Sequence, residues 1–246
     1  YFFYFIGEQY NAPPSLLVPL LHYWSLGVEE QYYIIYPLFI YFLFKKNFKL
    51  IFFSLCIIFC LSFFSSIINV NPVFNFFSLH TRIWELLAGG IIAYLMFKKV
   101  YIGSKKISSF LIYLGLILII LSLFLINDSH NHLALKTLPA IIGVSLIIFC
   151  SNKENFLIKI LSLKFITFFG LISYSLYLWH YPIFSYARIT GLIQNDLINK
   201  IIIGLSIIIL SILSYYFIER PFRNKNKIKR KNLFLIIGLI YILIMS

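Results

Sequence analysis

Residues 48–68 read FKLIFFSLCIIFCLSFFSSII, a run of 21 residues in which Lys49 is the only charged side chain. An α-helix needs about 20 apolar residues to cross the hydrocarbon core of a bilayer. The apolar residues in this run do not alternate with polar ones, as they would on a helix at the surface of a soluble protein. The run therefore predicts a membrane-spanning helix.

The whole chain repeats this pattern. Of its 246 residues, 61% are hydrophobic and 12% are charged, whereas soluble domains carry about 25% charged residues. The sequence predicts an all-α fold, a polytopic transmembrane helix bundle with about eight complete spans after an N-terminal stub. We expect it to form a single transmembrane domain over residues 1–246. The stub is residues 1–6, and the spans are predicted near 29–44, 48–68, 82–97, 107–126, 137–150, 165–187, 198–218 and 233–245.

The net charge of +13 could suggest a nucleic-acid partner, but the basic residues lie between the apolar runs. Connections 45–49, 98–106, 153–164 and 220–231 hold 17 of the 21 basic residues, and the others are Arg82, Lys136, Arg188 and Lys200. By the positive-inside rule the first set is cytoplasmic. We expect a multi-pass protein of the cytoplasmic (inner) membrane whose C-terminus is extracytoplasmic. Its surroundings are the lipid bilayer and not nucleic acid.

The first segment on the outer side is HYWSLGVEEQYYIIYPL, residues 22–38. Ser25 is a good helix N-cap residue, so the sequence predicts a helix that begins after it. Glu29 and Glu30 would then lie in its opening turns, where the helix dipole stabilises negative charge. That explanation is structural. Carboxylates at membrane depth also accept protons or bind sugar hydroxyls, and His22 could face the same pocket.

The second outer segment is HTRIWELLAGG, residues 80–90. Arg82 and Glu85 are three residues apart and can pair on one helix face. Gly89 continues that face without a side chain, so we expect another helix to approach it closely. A purely structural reading is that Arg82 extends its charged end towards the membrane surface beside an acidic partner.

The third outer segment is GLISYSLYLWHYPIF, residues 170–184. Ser173, Tyr177 and His180 follow at intervals of four and three residues, which places them in one polar stripe on a helix. An aromatic belt at the membrane interface would explain Tyr177. It explains His180 less well, and we predict that His180 is functional, as a hydrogen-bonding group or as a proton carrier. Glu29 or Glu30, Arg82 and His180 are expected to line one cavity that opens outward.

The inner segment is YYFIERPFRNKNKIKRK, residues 215–231. Glu219, Arg220 and Arg223 close a spanning helix, which Pro221 is expected to end. Contact with anionic lipid head groups would explain most of the lysines. It does not require a glutamate beside two arginines, and such a pair could bind phosphates through bidentate hydrogen bonds.

A metal site and a transporter are two further functions that the polar residues could indicate. The outer loop DSHNH, residues 128–132, has two histidines but no further ligands beside them, so the sequence predicts no metal site. A proton-coupled transporter would need carboxylates at mid-depth and broken helices in repeated halves. Here the carboxylates lie at helix ends and no repeat is visible, so a transporter is the alternative and not the first choice.

Four segments together resemble acyltransferase family 3. They are HYWSLGVEEQYYIIYPL, RIWELLAGG, ISYSLYLWHYPI and YFIERPFR, and they occur in the family's order over essentially the whole chain. The stretch YNAPPSLLVPLLHYWSLGVEEQ, residues 10–31, is similar to the subgroup that O-acetylates lipopolysaccharide O-antigen or peptidoglycan.

The resemblance implies an acyl-CoA donor, usually acetyl-CoA, on the cytoplasmic side and a glycan hydroxyl as acceptor outside. The candidate residues are then assigned to three roles. Glu29, Glu30 and His180 are catalytic; His22, Arg82, Glu85, Ser173 and Tyr177 bind the acceptor; Glu219, Arg220 and Arg223 bind the coenzyme.

Two expectations concern segments that the family has beyond these motifs. An N-terminal helix with an arginine followed by the main catalytic histidine is expected before Tyr1, so this chain by itself could be an inactive fragment. The run 233–245 is similar to the extra helix that leads to an extracytoplasmic SGNH-type domain.

Overall fold

The computed structural model describes residues 15–44, 48–68, 75, 77–125, 133–192 and 197–224, and over these residues the chain forms helices joined by turns and short irregular segments, with no β-strand. This confirms the all-α prediction. The predicted stub at 1–6 and the predicted span at 233–245 lie outside the described residues. The chain forms two compact units. We call described residues 23–163 the first unit, and described residues 15–22 and 164–224 the second unit.

The first unit contains six helices in its described residues. They are α1 (Trp24–Phe44), α2 (Phe48–Ile68), α3 (Ile83–Phe97), α4 (Lys105–Leu125), α5 (Leu133–Phe149) and the short α6 (Phe156–Leu161). Helix α2 packs against α1 and α3, and α5 packs against α3 and α4. Tyr32, Ile51, Leu55 and Leu87 form a buried cluster that joins α1, α2 and α3.

The second unit is built on a pair of long helices, α7 (Lys164–Ile189) and α8 (Leu197–Ser214). Ala187, Ile203 and Ile207 form its buried apolar cluster. A 3-10 turn at Ser15–Leu17 packs against α7. Helix α8 continues through one π-helical turn, Tyr215–Glu219, into the short helix α9 (Arg220–Arg223).

Three of the described helices are long and apolar enough to cross a membrane: Lys49–Ile68, Lys105–Leu125 and Leu197–Arg223. At most 22% of the residues in their apolar windows are buried within the protein. Outward-facing isoleucine, leucine and phenylalanine at this density would be unfavourable in water and suits a lipid environment. Two shorter apolar helices, Ile83–Phe97 and Ala134–Phe149, accompany them. The chain is therefore a helical membrane protein.

Two helix ends differ from the predictions. Helix α1 begins at Trp24, directly after a 3-10 turn at Leu21–Tyr23, so Ser25 lies inside the helix and is not its N-cap. A 3-10 turn of this kind commonly leads into an α-helix. Glu29 accordingly lies beyond the first helical turn, where the helix dipole has little effect.

The prediction that Pro221 ends the last spanning helix is wrong. The helix continues to Arg223 because Pro221 stands in the first turn of α9, where a missing N–H costs little. The preceding backbone has already widened, since the N–H of Arg220 donates to the carbonyl of Tyr215 five residues earlier.

The glycine at a close helix contact in α3 is Gly90 and not Gly89. A Cβ atom added to Gly89 would have no neighbour within 4 Å, whereas one at Gly90 would lie 2.9 Å from the hydroxyl of Tyr36 on α1. Among the glycines of the described residues, the tightest approach joins α4 and α5, where a Cβ on Gly143 would lie 2.5 Å from the carbonyl oxygen of Gly115.

Candidate active site

The turn before α3 is held by buried side chains of the first unit. The Thr81 hydroxyl, 1% exposed, lies 2.7 Å from the carbonyl oxygen of Asn75 and 2.9 Å from that of Ser78. On α2, Ser62 Oγ accepts a hydrogen bond of 3.2 Å from the backbone N–H of Trp84. This bond satisfies one of the amides that a helix N-terminus leaves open. The turn and the start of α3 therefore hold Arg82 in a defined place.

Arg82 is the centre of the first cluster of candidate residues. Its guanidinium carbon lies 4.8 Å from the centre of the Trp24 ring, and Nη2 donates to Glu85 Oε2 at 3.0 Å. Glu29 lies within electrostatic range of the same guanidinium. Stacking on an indole and pairing with a carboxylate hold a planar guanidinium in one orientation. Glu30 is exposed on the surface of α1.

A cavity of about 610 Å³ opens beside this turn in the first unit. Its walls come from α1, α2 and the turn that precedes α3. Polar side chains line part of it and apolar ones the rest; the polar residues are Gln31, Ser62, Ser65, Ser78 and His80. An aromatic ring, Phe77, is also in the lining. A cavity with hydrogen-bonding groups beside an apolar ring has the chemistry to hold a polyhydroxylated ligand.

The second cluster surrounds His22, which is only 8% exposed. The His22 ring stacks on Tyr181 with centroids 5.0 Å apart and meets Tyr177 edge-on at 5.0 Å. His180 presents its ring to His22 at 5.3 Å. The Tyr177 hydroxyl donates to the backbone carbonyl of His22 at 2.5 Å. Side chains of α7 thus hold the segment that ends in His22 against that helix.

The hydrogen bonds of His180 determine its tautomer. Nδ1 lies 2.7 Å from the carbonyl oxygen of Tyr177 and 3.1 Å from that of Leu176. A carbonyl oxygen can only accept, so Nδ1 must carry the proton. In the neutral ring Nε2 then holds a lone pair. That arrangement gives His180 the form of a general base.

Burial and the nearby His180 lower the pKa of His22 below its usual value of 6.5, with burial the larger effect. The backbone carbonyls of Tyr177 and Leu178 act in the opposite direction. His22 is therefore neutral over most of the physiological range.

A third cluster lies around the π-helical turn of the second unit. Glu219 Oε2 accepts a hydrogen bond of 3.2 Å from the hydroxyl of Ser175, and Glu219 Oε1 accepts one of 3.0 Å from Nη1 of Arg223. The guanidinium carbon of Arg220 lies 5.6 Å from the centre of the Tyr216 ring. An indole bond of 2.7 Å from Trp179 to Ser214 joins α7 and α8 nearby.

The predicted site residues thus fall into separate groups within each unit. In the first unit Arg82 pairs with Glu85, and Glu29 lies within electrostatic range of Arg82. His22, Tyr177 and His180 meet in the second, as do Glu219 and Arg223. Ser173 is exposed and donates to the carbonyl of Gly170 in its own helix. The expected cavity that joins Arg82 to His180 involves both units and stays a prediction.

Sequence reasoning did not identify Trp24 or Ser175. Trp24 lies within the first motif. An arginine such as Arg82 can be held in one orientation by an indole ring, and this could have drawn attention to Trp24. Ser175 precedes Trp179 by four residues, so both lie on one face of α7, and both bond to the α8–α9 segment.

Among the described residues no group of three histidine, cysteine, aspartate or glutamate side chains could hold a metal ion.

Comparison with known proteins gives consistent matches. A protein of Staphylococcus aureus (strain COL) named "Putative O-acetyltransferase SACOL0978" is 35% identical over 87% of this chain and 38% of its own length. Peptidoglycan O-acetyltransferase OatA of Listeria monocytogenes is 29% identical over 96% of this chain and 41% of its own. The chain therefore spans about two fifths of the length of these relatives. No solved structure matches it significantly.

The family model described as "Acyltransferase domain" matches residues 1–220 of the 246 in the chain. That range includes α1 to α8, the π-helical turn and each of the three clusters except the end of α9. Because the match covers well over half of the chain, and the matched residues form a bundle of apolar helices, the chain belongs to acyltransferase family 3.

Proposed function

We propose that this chain is the membrane part of an O-acyltransferase. The complete protein would transfer an acyl group, most simply acetyl, from cytoplasmic acyl-CoA to a hydroxyl of an extracytoplasmic glycan. The acceptor would be a cell-envelope polysaccharide such as lipopolysaccharide O-antigen or peptidoglycan, and the name of the Listeria relative favours peptidoglycan.

The main support for this proposal is the tautomer of His180. In the transfer, the glycan hydroxyl oxygen attacks the thioester carbonyl carbon, a C–O bond forms, and the C–S bond breaks. A base must take the hydroxyl proton and then return it to the leaving thiolate. Nδ1 of His180 donates its proton to the carbonyl oxygens of Leu176 and Tyr177. Nε2 is therefore the nitrogen that can accept the hydroxyl proton and return it.

The donor would be bound near the π-helical turn. Arg223 has a side chain that is 67% exposed, which leaves N–H donors accessible to the phosphates of a coenzyme. Ser175, which contacts Glu219, precedes His180 by five residues on the same helix, or about 7.5 Å along its axis. A thioester arm anchored at Arg223 would therefore have only a short distance to cover before its carbonyl reached His180.

The acceptor would be bound by the first unit. Arg82 and Glu85 present hydrogen-bonding groups in a defined orientation. The nearby cavity offers the amide of Gln31 and the imidazole of His80 beside the ring of Phe77. Glu29 and Glu30 remain candidate proton acceptors.

We also propose an SGNH-type extracytoplasmic domain as a partner in the complete protein, and a further catalytic histidine in a preceding helix.

Replacement of His180 by glutamine tests the proposal. In the full-length protein, transfer of radiolabelled acetyl groups from acetyl-CoA to cell-wall glycan should fall by about 100-fold or more, the range expected for loss of a general base. His130→Gln, in an outer loop by sequence, is the matched control and should retain activity. A His180→Gln protein that elutes as a folded species and keeps control activity would disprove the assigned role.

A further inference from the structure

The π-helical turn changes which residue of the α8–α9 segment faces α7. Ile207 and Ser211 are buried and Ser214 bonds to Trp179, so these three mark the face towards α7 at spacings of four and three. The next residue on that face is Glu219, five positions after Ser214. In an uninterrupted α-helix a residue five positions on lies about 140° around the axis.

The extra residue is accommodated in the wide turn. The N–H of Arg220 bonds to the carbonyl of Tyr215, five residues before it, which is the π-helical pattern. Without this turn Ile218 would lie closest to the α7 face, about 40° from the direction of Ser214, and Glu219 would lie about 140° from it. The turn therefore brings the Glu219 carboxylate to Ser175. One-turn π-helical segments in α-helices are frequently found at functional sites.

Glu219 connects a buried group to an exposed one. Ser175 is 1% exposed, while the side chains of Glu219 and Arg223 are 14% and 67% exposed. A hydroxyl bond to a carboxylate is strong where water is excluded. With one oxygen held by Ser175, the other is available to orient the guanidinium of Arg223. An arginine at an exposed helix end would otherwise lose considerable side-chain entropy on binding a ligand.

We propose that Ser175 is a positioning residue of the donor site. Its hydroxyl holds Glu219, and Glu219 holds the guanidinium of Arg223 in the orientation that receives the phosphates of the acyl donor. This inference rests on the proposed function, in which Arg223 binds coenzyme A. It adds a residue that lies outside the motif around Glu219 and has no contact with the donor itself.

The experiment measures donor KM and kcat separately in the full-length protein, with acetyl-CoA varied at saturating glycan. Ser175→Ala should raise the donor KM about three- to tenfold and leave kcat and the acceptor KM nearly unchanged. Ser175→Thr keeps the hydroxyl and should restore the donor KM. Ser206→Ala removes a half-buried serine of α8 that bonds within its own helix, and it should have no effect.

A double-mutant cycle tests the route through Glu219. If Ser175 acts only through Glu219, Ser175→Ala added to Glu219→Ala should cause no further rise in the donor KM. An additive rise would overturn the inference. So would a Ser175→Ala protein that loses kcat or thermal stability with an unchanged donor KM, since that pattern indicates a structural role only.

Arg223→Lys separates this inference from the proposed function. If Arg223→Lys raises the donor KM and Ser175→Ala does not, the donor site stands and the positioning role is wrong. If neither variant changes the donor KM, Arg223 does not bind the donor, and the proposed donor site and this inference are both wrong.

Discussion

Gly115 and Gly143 bring the backbones of α4 and α5 into direct contact. A Cβ atom built on either glycine would lie 2.5–2.7 Å from the carbonyl oxygen of the other. Glycine at such a crossing lets two membrane helices pack closely. Close packing matters in a membrane because apolar side chains gain little free energy by leaving lipid, so van der Waals contacts between the helices must hold them together. The α4–α5 contact is the tightest helix crossing among the glycine sites of the described residues.

Gly143→Ala should therefore destabilise the protein. The atom that the new methyl group meets is backbone, which cannot move aside, so α4 and α5 must separate at a cost of about 1–3 kcal/mol. Gly89→Ala has no neighbour within 4 Å and is the matched control, expected to be neutral or slightly stabilising. Thermal unfolding in detergent would compare them, and equal midpoints for the two variants would contradict the close contact.

Tyr177→Phe should loosen the segment that ends in His22. The change removes the phenolic hydrogen bond to the His22 carbonyl, at a cost of about 1 kcal/mol. The expected fall in unfolding midpoint is roughly 2–4 °C for a chain of this size. Tyr186→Phe, on the same helix but exposed, serves as control. If both variants unfold at the wild-type temperature, the bond contributes nothing to stability.

Acid should destabilise the second unit through His22. Its pKa in the folded protein lies below the usual value of 6.5, so the unfolded chain binds the proton more readily. Stability is then complete above about pH 6.5 and decreases as the pH falls through that value towards the folded pKa. His22→Phe keeps the stacking on Tyr181 and should flatten the decline between pH 7.5 and 5.5. A decline as steep in His22→Phe as in the unchanged protein would contradict this role of His22.

The basic connections should be reachable only from the cytoplasm. A cysteine at position 227, in a variant without Cys56, Cys60 and Cys150, should react with a membrane-impermeant maleimide only after the cells are permeabilised. A cysteine at position 131, in a predicted outer loop, should react in intact cells. Labelling of position 227 from outside would reverse the orientation that the basic residues predict.

The sequence was informative about the helices and about which residues could carry chemistry. Apolar runs and basic connections were sufficient to predict α2 over 48–68, and the structure has it at Phe48–Ile68. The spacing of three residues was sufficient to predict the contact between Arg82 and Glu85. These features depend on local periodicity, which a single sequence contains.

Features that depend on the position of a neighbouring helix could not be predicted in this way. Gly89 and Gly90 are adjacent in sequence, and only the location of Tyr36 on α1 determines which of them is closely approached. Likewise, Ser173 and Ser175 are equivalent by residue type, and only the position of Glu219 distinguishes them. The helical continuation through Pro221 depends on the wide turn before it, for which the sequence has no simple signal.

The π-helical turn also has a consequence for sequence comparison within the family. It contains one residue more than the α-helical turn that would otherwise occupy residues 215–219. A relative whose corresponding segment is a regular α-helix would present its carboxylate to the neighbouring helix one position earlier. Correct alignment of such a relative needs a one-residue gap between Ser214 and Glu219, and an alignment without that gap would match Glu219 to a residue that points away from the neighbouring helix.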